Sequence, residues 1–140
     1  MPPTRRTLTL SVMEGLFAIL KLPSNEVIPA WAVCGQFFAV TRTPEELSLV
    51  AAETTVPREV QASRGWRLFK VHGPFAFDEI GVVASLAAPL ARVGVGIFVI
   101  STFDTDYLLV QQEDAPVVAE TLQHAGHRFE NLKLLTSLES

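Results

Sequence analysis

An internal repeat constrains this chain more than any other feature of its sequence. Residues 38–53 align without a gap on residues 98–113. Within that window four residues are identical at a constant offset of sixty: Phe38/Phe98, Leu49/Leu109, Val50/Val110 and Glu53/Glu113. Self-similarity at a fixed spacing is typical of a duplicated supersecondary unit. The repeat therefore predicts two copies of one fold, residues 1–64 and residues 65–140.

Composition and charge narrow the class of protein. With 49% hydrophobic residues among 140, the chain suits one ordinary domain or two very small ones that share a core. The net charge is −4, and Lys and Arg are scattered along the sequence. The chain therefore lacks the basic patch that binds nucleic acids, and binding to anionic membranes is disfavoured for the same reason. The lone cysteine, Cys34, cannot form an intrachain disulfide, which favours a cytoplasmic location. We expect its side chain to be buried.

The first copy reads as a series of short strands. Apolar residues alternate with polar ones over residues 7–13, at the period of a half-buried strand. The apolar stretch of residues 8–20 is too short for a membrane span and is broken by Glu14 and Gly15. Further strands are predicted at residues 17–22 and 37–41, and Thr43 opens a brief helix-like turn before an apolar run.

The second copy shows a clearer pattern. A strand is predicted at residues 66–72, followed by a helix that Asp78 caps and Gly94 ends. Pro89 removes a helical hydrogen bond to the Ser85 carbonyl, so we expect a kink or an early end there. Two strands then form a hairpin, and a second helix and a final strand complete the copy: residues 97–103, residues 107–112, a helix from Asp114 to Gly126, and residues 127–130.

The resulting order is β, α, β, β, α, β. That order is the arrangement of an α+β, ferredoxin-like βαββαβ sandwich, with two helices on one face of an antiparallel sheet. The first copy is a degenerate version with short helical segments. An offset of sixty leaves little room for a separate closing strand, so we expect the two copies to exchange or share strands.

Several segments in the right order carry a family resemblance. They are FAVTRTPEELSLV at residues 38–50, GWR at 65–67, HGPF at 72–75 and ISTFDTDYLLV at 100–110. Together they resemble the small tandem ACT-domain proteins, relatives of the CASTOR-type arginine sensors and of the regulatory domains of aspartate kinases. The STFDTD segment is the most specific. The resemblance covers about residues 8–128.

The resemblance implies a regulatory site for a free amino acid, a homodimer, no catalysis and no cofactor. Carried over by position, the ligand contacts would come from three segments: Gly73, Pro74 and Phe75; Phe103, Asp104 and Asp106; and Ala39 and Val40 of the first copy. A serine often stands at the position of Ala39, so one polar contact of the family is absent here.

Physical chemistry favours the same location. Backbone N–H groups at a helix N-terminus suit an α-carboxylate. Asp104 or Asp106 suits an ammonium or a guanidinium, because a charge that leaves water needs a partner.

A structural interpretation of the same residues stays open. Residues 104–106 suit a hairpin turn, and Gly73 with Pro74 suits the end of a strand. Phe75 and Phe77 suit a core.

Other chemistry has weaker support. His124 and His127 lack acidic or cysteine partners at metal-ligand spacing. Nothing near Cys34 activates a thiol for catalysis. The alternative function is therefore a protein-pairing module that uses exposed sheet edges and binds no small ligand.

Overall fold

The computed structural model describes residues 7–75 and 80–137. The chain forms two compact units. One, which we call the helical unit, comprises Met1–Glu14 and Arg67–Ser140. The other, which we call the small unit, comprises Gly15–Trp66.

The helical unit contains most of the regular structure. Its elements are β1 (Thr9–Val12), the second part of β5 (Ser63–Val71), α1 (Val82–Arg92), β6 (Phe98–Ser101), β7 (Asp106–Gln111), α2 (Ala115–His124), β8 (Arg128–Glu130) and α3 (Leu134–Ser137). From β5 to β8 this is the predicted βαββαβ order, so the ferredoxin-like fold is confirmed. The short helix α3 was not predicted.

Strand β1 belongs to the first copy by sequence but lies in the sheet of the helical unit. The strand order there is β8, β1, β5, β7, β6. β1 is antiparallel to β5, with Leu10 opposite Val71, and parallel to β8, with Leu10 opposite Phe129. The expected sharing of strands is confirmed, because β1 stands between the first and last strands of the sandwich.

One apolar core holds the helical unit together. Leu10 and Val12 of β1, Phe69 of β5 and Leu86 of α1 all belong to it, each with at most 1% of its surface exposed. Burial of such side chains contributes roughly 1.5–3 kcal/mol each. Arg67 is also buried and donates a hydrogen bond to the Leu134 carbonyl at 3.1 Å, and burial lowers the pKa of its guanidinium.

The small unit is a sheet with little helix. Its strands are β2 (Phe17–Leu22), β3 (Ala39–Arg42), β4 (Leu47–Ala52) and the beginning of β5, in the order β3, β4, β2, β5. Single 3₁₀ turns stand at Ala30–Val33 and Glu53–Thr55. The expectation that the first copy is degenerate is confirmed, since it has no α-helix within the described residues.

The two copies correspond in structure at an offset of 59 residues, one fewer than the sequence alignment indicated. β3 and β4 lie 59 residues before β6 and β7 and have the same lengths. The hairpin turns share a hydrogen-bond pattern: the Glu46 N–H donates to Thr43 Oγ1 at 3.1 Å, and the Thr105 N–H donates to Thr102 Oγ1 at 3.2 Å. Because apolar residues are frequent in both hairpins, a sequence alignment shifted by one residue, at an offset of sixty, also contains identical residues.

Helix α1 differs from its prediction at both ends. It begins at Val82, because Gly81 at the N-cap has a φ of 83° that a continuing helix cannot accommodate. The predicted cap, Asp78, lies outside the described residues. At the other end, the Val95 N–H bonds the Leu90 carbonyl at 3.0 Å, and Gly94 has a φ of 76°, which is the Schellman arrangement of a helix end.

The predicted early end of the helix at Pro89 is wrong, because α1 continues through it to Arg92. A distant side chain replaces the lost hydrogen bond: His127 Nε2 lies 3.1 Å from the Ser85 carbonyl oxygen. His127 Nδ1 accepts from the Leu8 N–H at 3.1 Å, so Nε2 carries the proton and donates. The buried carbonyl that proline leaves without a helical donor is thereby satisfied.

Candidate functional site

A cleft of about 420 Å³ opens in the helical unit between the start of α1 and the β6–β7 hairpin. It is lined by three stretches of chain: Phe75, residues 80–84 and residues 101–106. A cleft of this size lies within the range that small-molecule sites occupy. We take it as the candidate ligand site.

The hairpin turn that forms one wall is held by several hydrogen bonds. The Thr102 N–H donates to the Thr105 carbonyl at 2.7 Å. The Thr105 hydroxyl, which is buried, donates to the carbonyl of Val71 at the end of β5. The turn is therefore fixed to the neighbouring strand, and the residues it presents to the cleft have a defined position.

The loop after β5 packs directly behind that turn. The Phe75 N–H donates to the Asp104 carbonyl at 2.7 Å. A Cβ atom at Gly73 would lie 2.7 Å from the same carbonyl oxygen and 3.1 Å from Thr105 Cβ. Only glycine permits this approach. Gly73 thus packs against the hairpin, while Phe75 lines the cleft.

The opposite wall provides backbone donors. The N–H groups of the first helical turn have no acceptor within a helix, and Val82, Val83 and Ala84 of α1 line the cleft. The Ser85 N–H donates back along the helix to the Gly81 carbonyl at 3.0 Å. The positive end of the helix dipole adds to the attraction for an anion.

Two carboxylates stand on the hairpin side. Asp104 is exposed at the turn, and Asp106 is half-buried at the first position of β7. The Ser101 hydroxyl donates to Asp106 Oδ1, which orients the carboxylate and leaves its second oxygen for another donor. The cleft therefore combines donors suited to an anion with acceptors suited to a cation.

Exposed apolar side chains flank the cleft. Phe103 is 77% exposed and Ile80 is 84% exposed. Both lie among the lining residues. Such side chains gain stability when an apolar group covers them.

The structure brings together four of the residues predicted from sequence: Phe75, Phe103, Asp104 and Asp106. Gly73 packs against the hairpin wall, and Pro74 is exposed and does not line the cleft. Ala39 and Val40 lie on β3 in the small unit, opposite Val50 and Leu49 of β4. Phe77 lies outside the described residues.

The sequence predicted a helix N-terminus beside the site but identified no residue of α1 as part of it, and it did not identify Ser101. Gly81 was a usable signal, because a glycine directly before a helical apolar pattern can mark the N-terminus. Ser101 was harder to identify, since its contribution is a side-chain contact with Asp106.

The small unit lacks the carboxylate of Asp106 and the hydroxyl of Ser101 at the corresponding positions. Leu47, which is fully buried, stands where the helical unit has Asp106, and Arg42 stands in place of Ser101. The Arg42 guanidinium donates to the carbonyls of Ser24 and Glu26. The hairpin of the small unit is thus tied to its own loop by an arginine.

Other candidate groups have structural partners. His127 uses both ring nitrogens, toward Leu8 and Ser85. His72 Nε2 lies 2.5 Å from the Ser11 hydroxyl and 3.7 Å from Glu130. Among residues 7–75 and 80–137, no cluster of three metal-ligating side chains occurs. Cys34 is exposed, contrary to the prediction, because it follows the single 3₁₀ turn that replaces a packed helix.

Comparison with known proteins agrees with this geometry. Residues 61–124 match the family model of the ACT domain. A second model, described as an N-terminal domain, matches residues 15–59. A crystallised protein of Agobacterium tumefaciens is 45% identical, with a TM-score of 0.84 over 89% of this chain and 93% of that one.

Residues 61–124 form an ACT domain. This ACT-domain chain is also 44% identical over 59 residues to the rat protein named cytosolic arginine sensor for mTORC1 subunit 1. That match covers 41% of this chain and only 18% of the sensor. An aspartate kinase of Clostridium acetobutylicum, 12% identical, shares the fold with a TM-score of 0.61 over 83% of this chain and 34% of the kinase. The family resemblance seen in the sequence is confirmed.

No helix within the described ranges is long and apolar enough to cross a membrane.

Proposed function

We propose that this protein is a non-enzymatic regulatory protein that binds a free amino acid in the cleft of the helical unit. The observation that carries the proposal is the polarity of the cleft. Backbone N–H groups of residues 82–84 line one side, and Asp104 and Asp106 stand on the other. A free amino acid has a carboxylate and an ammonium a few ångströms apart, so it matches both sides at once.

The α-carboxylate would accept hydrogen bonds from the start of α1, where the helix dipole also favours a negative charge. The α-ammonium would donate to Asp106, whose Oδ1 is already oriented by Ser101. Charge-assisted hydrogen bonds of this kind are about twice as strong as neutral ones. Phe103 and Ile80 would cover the stem of the ligand side chain.

Relatives indicate which ligand to test first. A protein with 44% identity over 59 residues is named an arginine sensor. An arginine ligand has a second cationic group, and the cleft has two carboxylates to receive the two cations. We therefore propose arginine as the first candidate among the amino acids.

A regulatory role requires that the ligand favour one state of the protein over another. We propose a cytoplasmic homodimer whose assembly or partner binding responds to the amino acid. The ligand can change that equilibrium only by its difference in affinity for the two states.

The test is a thermal-shift screen of the full chain against the twenty amino acids, followed by calorimetry on each hit. At 100 times the dissociation constant, a ligand stabilises the folded state by about 2.7 kcal/mol. We expect a selective rise in Tm that Asp106→Asn abolishes. No selective shift with correctly folded protein would contradict the proposal.

The alternative is a protein-pairing module without a small ligand. Its supporting observation is that Phe38, which is 41% exposed, directly precedes β3, the terminal strand of the small unit. An exposed strand edge can pair with another chain. A silent amino-acid screen together with a concentration-dependent change in mass, measured by light scattering, would favour this second function.

A further inference from the structure

The small unit has a separate cleft of about 520 Å³. It is lined by Glu53, Thr54, Val56, Arg58 and Arg64. None of these residues belongs to the amino-acid cleft of the helical unit. Two of the five carry a guanidinium, so the chemistry of this cleft differs from that of the first.

The cleft lies where the first copy has lost its second helix. Pro57 stands 59 residues before Pro116, which opens α2 of the helical unit. In the small unit only one turn follows, in which the Val60 N–H donates to the Pro57 carbonyl at 3.1 Å. At the same offset, Arg58 and Arg64 replace the neutral residues Val117 and Gln123. The cationic pair is thus particular to the first copy.

Hydrogen bonds fix one of the two guanidinium groups. Arg64 Nη2 donates to the carbonyls of Pro57 and Val60, at 3.0 and 2.9 Å. Within the described residues, Arg64 Nη1 and Nε make no hydrogen bond, so these donors remain for a ligand. A held guanidinium loses less conformational freedom when it binds an anion.

The remaining charges leave the cleft positive. Glu53 Oε1 accepts a hydrogen bond from the Gly65 N–H at 2.8 Å, which holds this carboxylate against the backbone. In the part of the chain that the structure describes, Arg58 forms no ion pair, and it is exposed. Two positive charges therefore face one negative charge, and the Thr54 hydroxyl adds a neutral donor.

We propose that this cleft binds a phosphate dianion, either free or as the phosphate group of a small metabolite. A carboxylate has two oxygens, and one bidentate guanidinium engages both of them. A phosphate has at least three oxygens and accepts from Arg58, Arg64 and Thr54 together. The net charge of −4 on the chain disfavours a polyanion such as a nucleic acid.

The test is calorimetric titration of the full chain with inorganic phosphate and, separately, with glycerol 3-phosphate, in buffer containing sodium chloride at physiological strength. We expect saturable binding of at least one probe. Tighter binding of glycerol 3-phosphate would assign the site to a metabolite, and tighter binding of inorganic phosphate would assign it to the free ion.

Variants make the result specific to this cleft. Arg58→Gln should weaken binding at least tenfold with little change in Tm, because the Arg58 side chain is exposed and makes no hydrogen bond or ion pair within the described residues. Arg92→Gln, which removes an exposed arginine at the end of α1, should leave the affinity unchanged. Asp106→Asn should also leave it unchanged, so this proposal and the amino-acid site can fail independently.

Three outcomes would overturn the proposal: no saturable binding of either probe, equal affinity in Arg58→Gln and the parent protein, or equal loss in Arg92→Gln. Arg64→Lys provides a second measurement, since it keeps the charge but loses the planar fork. It should weaken phosphate binding at least fivefold in protein whose circular dichroism shows that it is folded.

Discussion

The carbonyl oxygen of Ser85 lies 3.1 Å from Nε2 of His127 and accepts the hydrogen bond that Pro89 cannot donate. The same imidazole accepts from the Leu8 N–H through Nδ1. One side chain therefore satisfies two backbone groups, one in α1 and one beside β1. We expect this link to be a large contribution to the stability of the helical unit.

Replacement of His127 by Phe keeps an aromatic ring but leaves both backbone groups without their partner. A buried group that loses its partner costs about 1–3 kcal/mol, so we expect a total loss of about 2–5 kcal/mol in urea unfolding. The matched background is Pro89→Ala, which returns an N–H donor to the helix. His127→Phe should cost at least about 1 kcal/mol less in that background. Equal costs in the two backgrounds would show that Ser85 does not depend on His127.

Removal of the Asp106 charge should weaken the proposed binding of an amino acid. Asp106→Asn keeps the shape and the acceptor for the Ser101 hydroxyl, yet it removes the charge that pairs with an ammonium. Loss of a charged hydrogen-bond partner costs about 1.5–3 kcal/mol, or roughly a tenfold to hundredfold rise in Kd by calorimetry. Asp114→Asn, at the start of α2, is the control and should bind normally. Unchanged affinity in Asp106→Asn would remove this carboxylate from the site.

Gly73→Ala should displace the hairpin that forms one wall of the cleft. The new Cβ atom would lie 2.7 Å from the Asp104 carbonyl oxygen, a backbone atom that cannot rotate away. Overpacking of this kind costs about 1–3 kcal/mol, and we expect weaker ligand binding as well as a lower Tm. Gly96→Ala is the matched control, because nothing lies within 4 Å of its added Cβ atom. A Gly73→Ala protein with the parent Tm and affinity would contradict the close packing.

Arg42→Met should loosen the loop at residues 24–28, which precedes the 3₁₀ turn at Ala30–Val33. The guanidinium donates to the carbonyls of Ser24 and Glu26, the latter at 2.8 Å, while the Met side chain retains much of the apolar stem. We expect faster amide exchange over residues 24–28, measured by mass spectrometry, and a loss of about 1 kcal/mol of stability. Lys21→Met, on β2 just before this loop, should leave amide exchange in the loop unchanged. Equal exchange in the two variants would mean that Arg42 does not hold the loop.

Local sequence patterns predicted several strands and the β6–β7 hairpin, but they did not predict β4 or its hairpin with β3. β2 was predicted at its observed bounds, and the alternation around Leu10 identified β1, because the side-chain period of a strand is visible in a few residues. A sharing of strands between the copies was expected from the shortness of the first copy. The first of these conclusions depends on residues that are close together in sequence, and the second depends only on length.

The errors have a common physical cause, which is compensation by distant residues. Pro89 was expected to kink or end α1, but the helix continues and its compensating donor, His127, belongs to a different part of the chain. Cys34 was expected to be buried, but the helix that would bury it is reduced to one turn. Four residues that line the cleft were named from the sequence, because they lie in the two motifs that carried the family resemblance. A helix N-terminus was expected beside them, but its residues were not identified, because the positive φ of Gly81 sets the start of α1.

The position of β1 has a consequence for synthesis on the ribosome. Leu8 is made before its hydrogen-bond partner His127, which follows 119 residues later. At about 5–20 residues per second, the ribosome needs roughly 6–24 seconds to supply that partner. Throughout this interval the nascent apolar strand has no completed sheet to join. Cells that make this protein must therefore keep β1 from associating with other chains until the segment that contains His127 has been made.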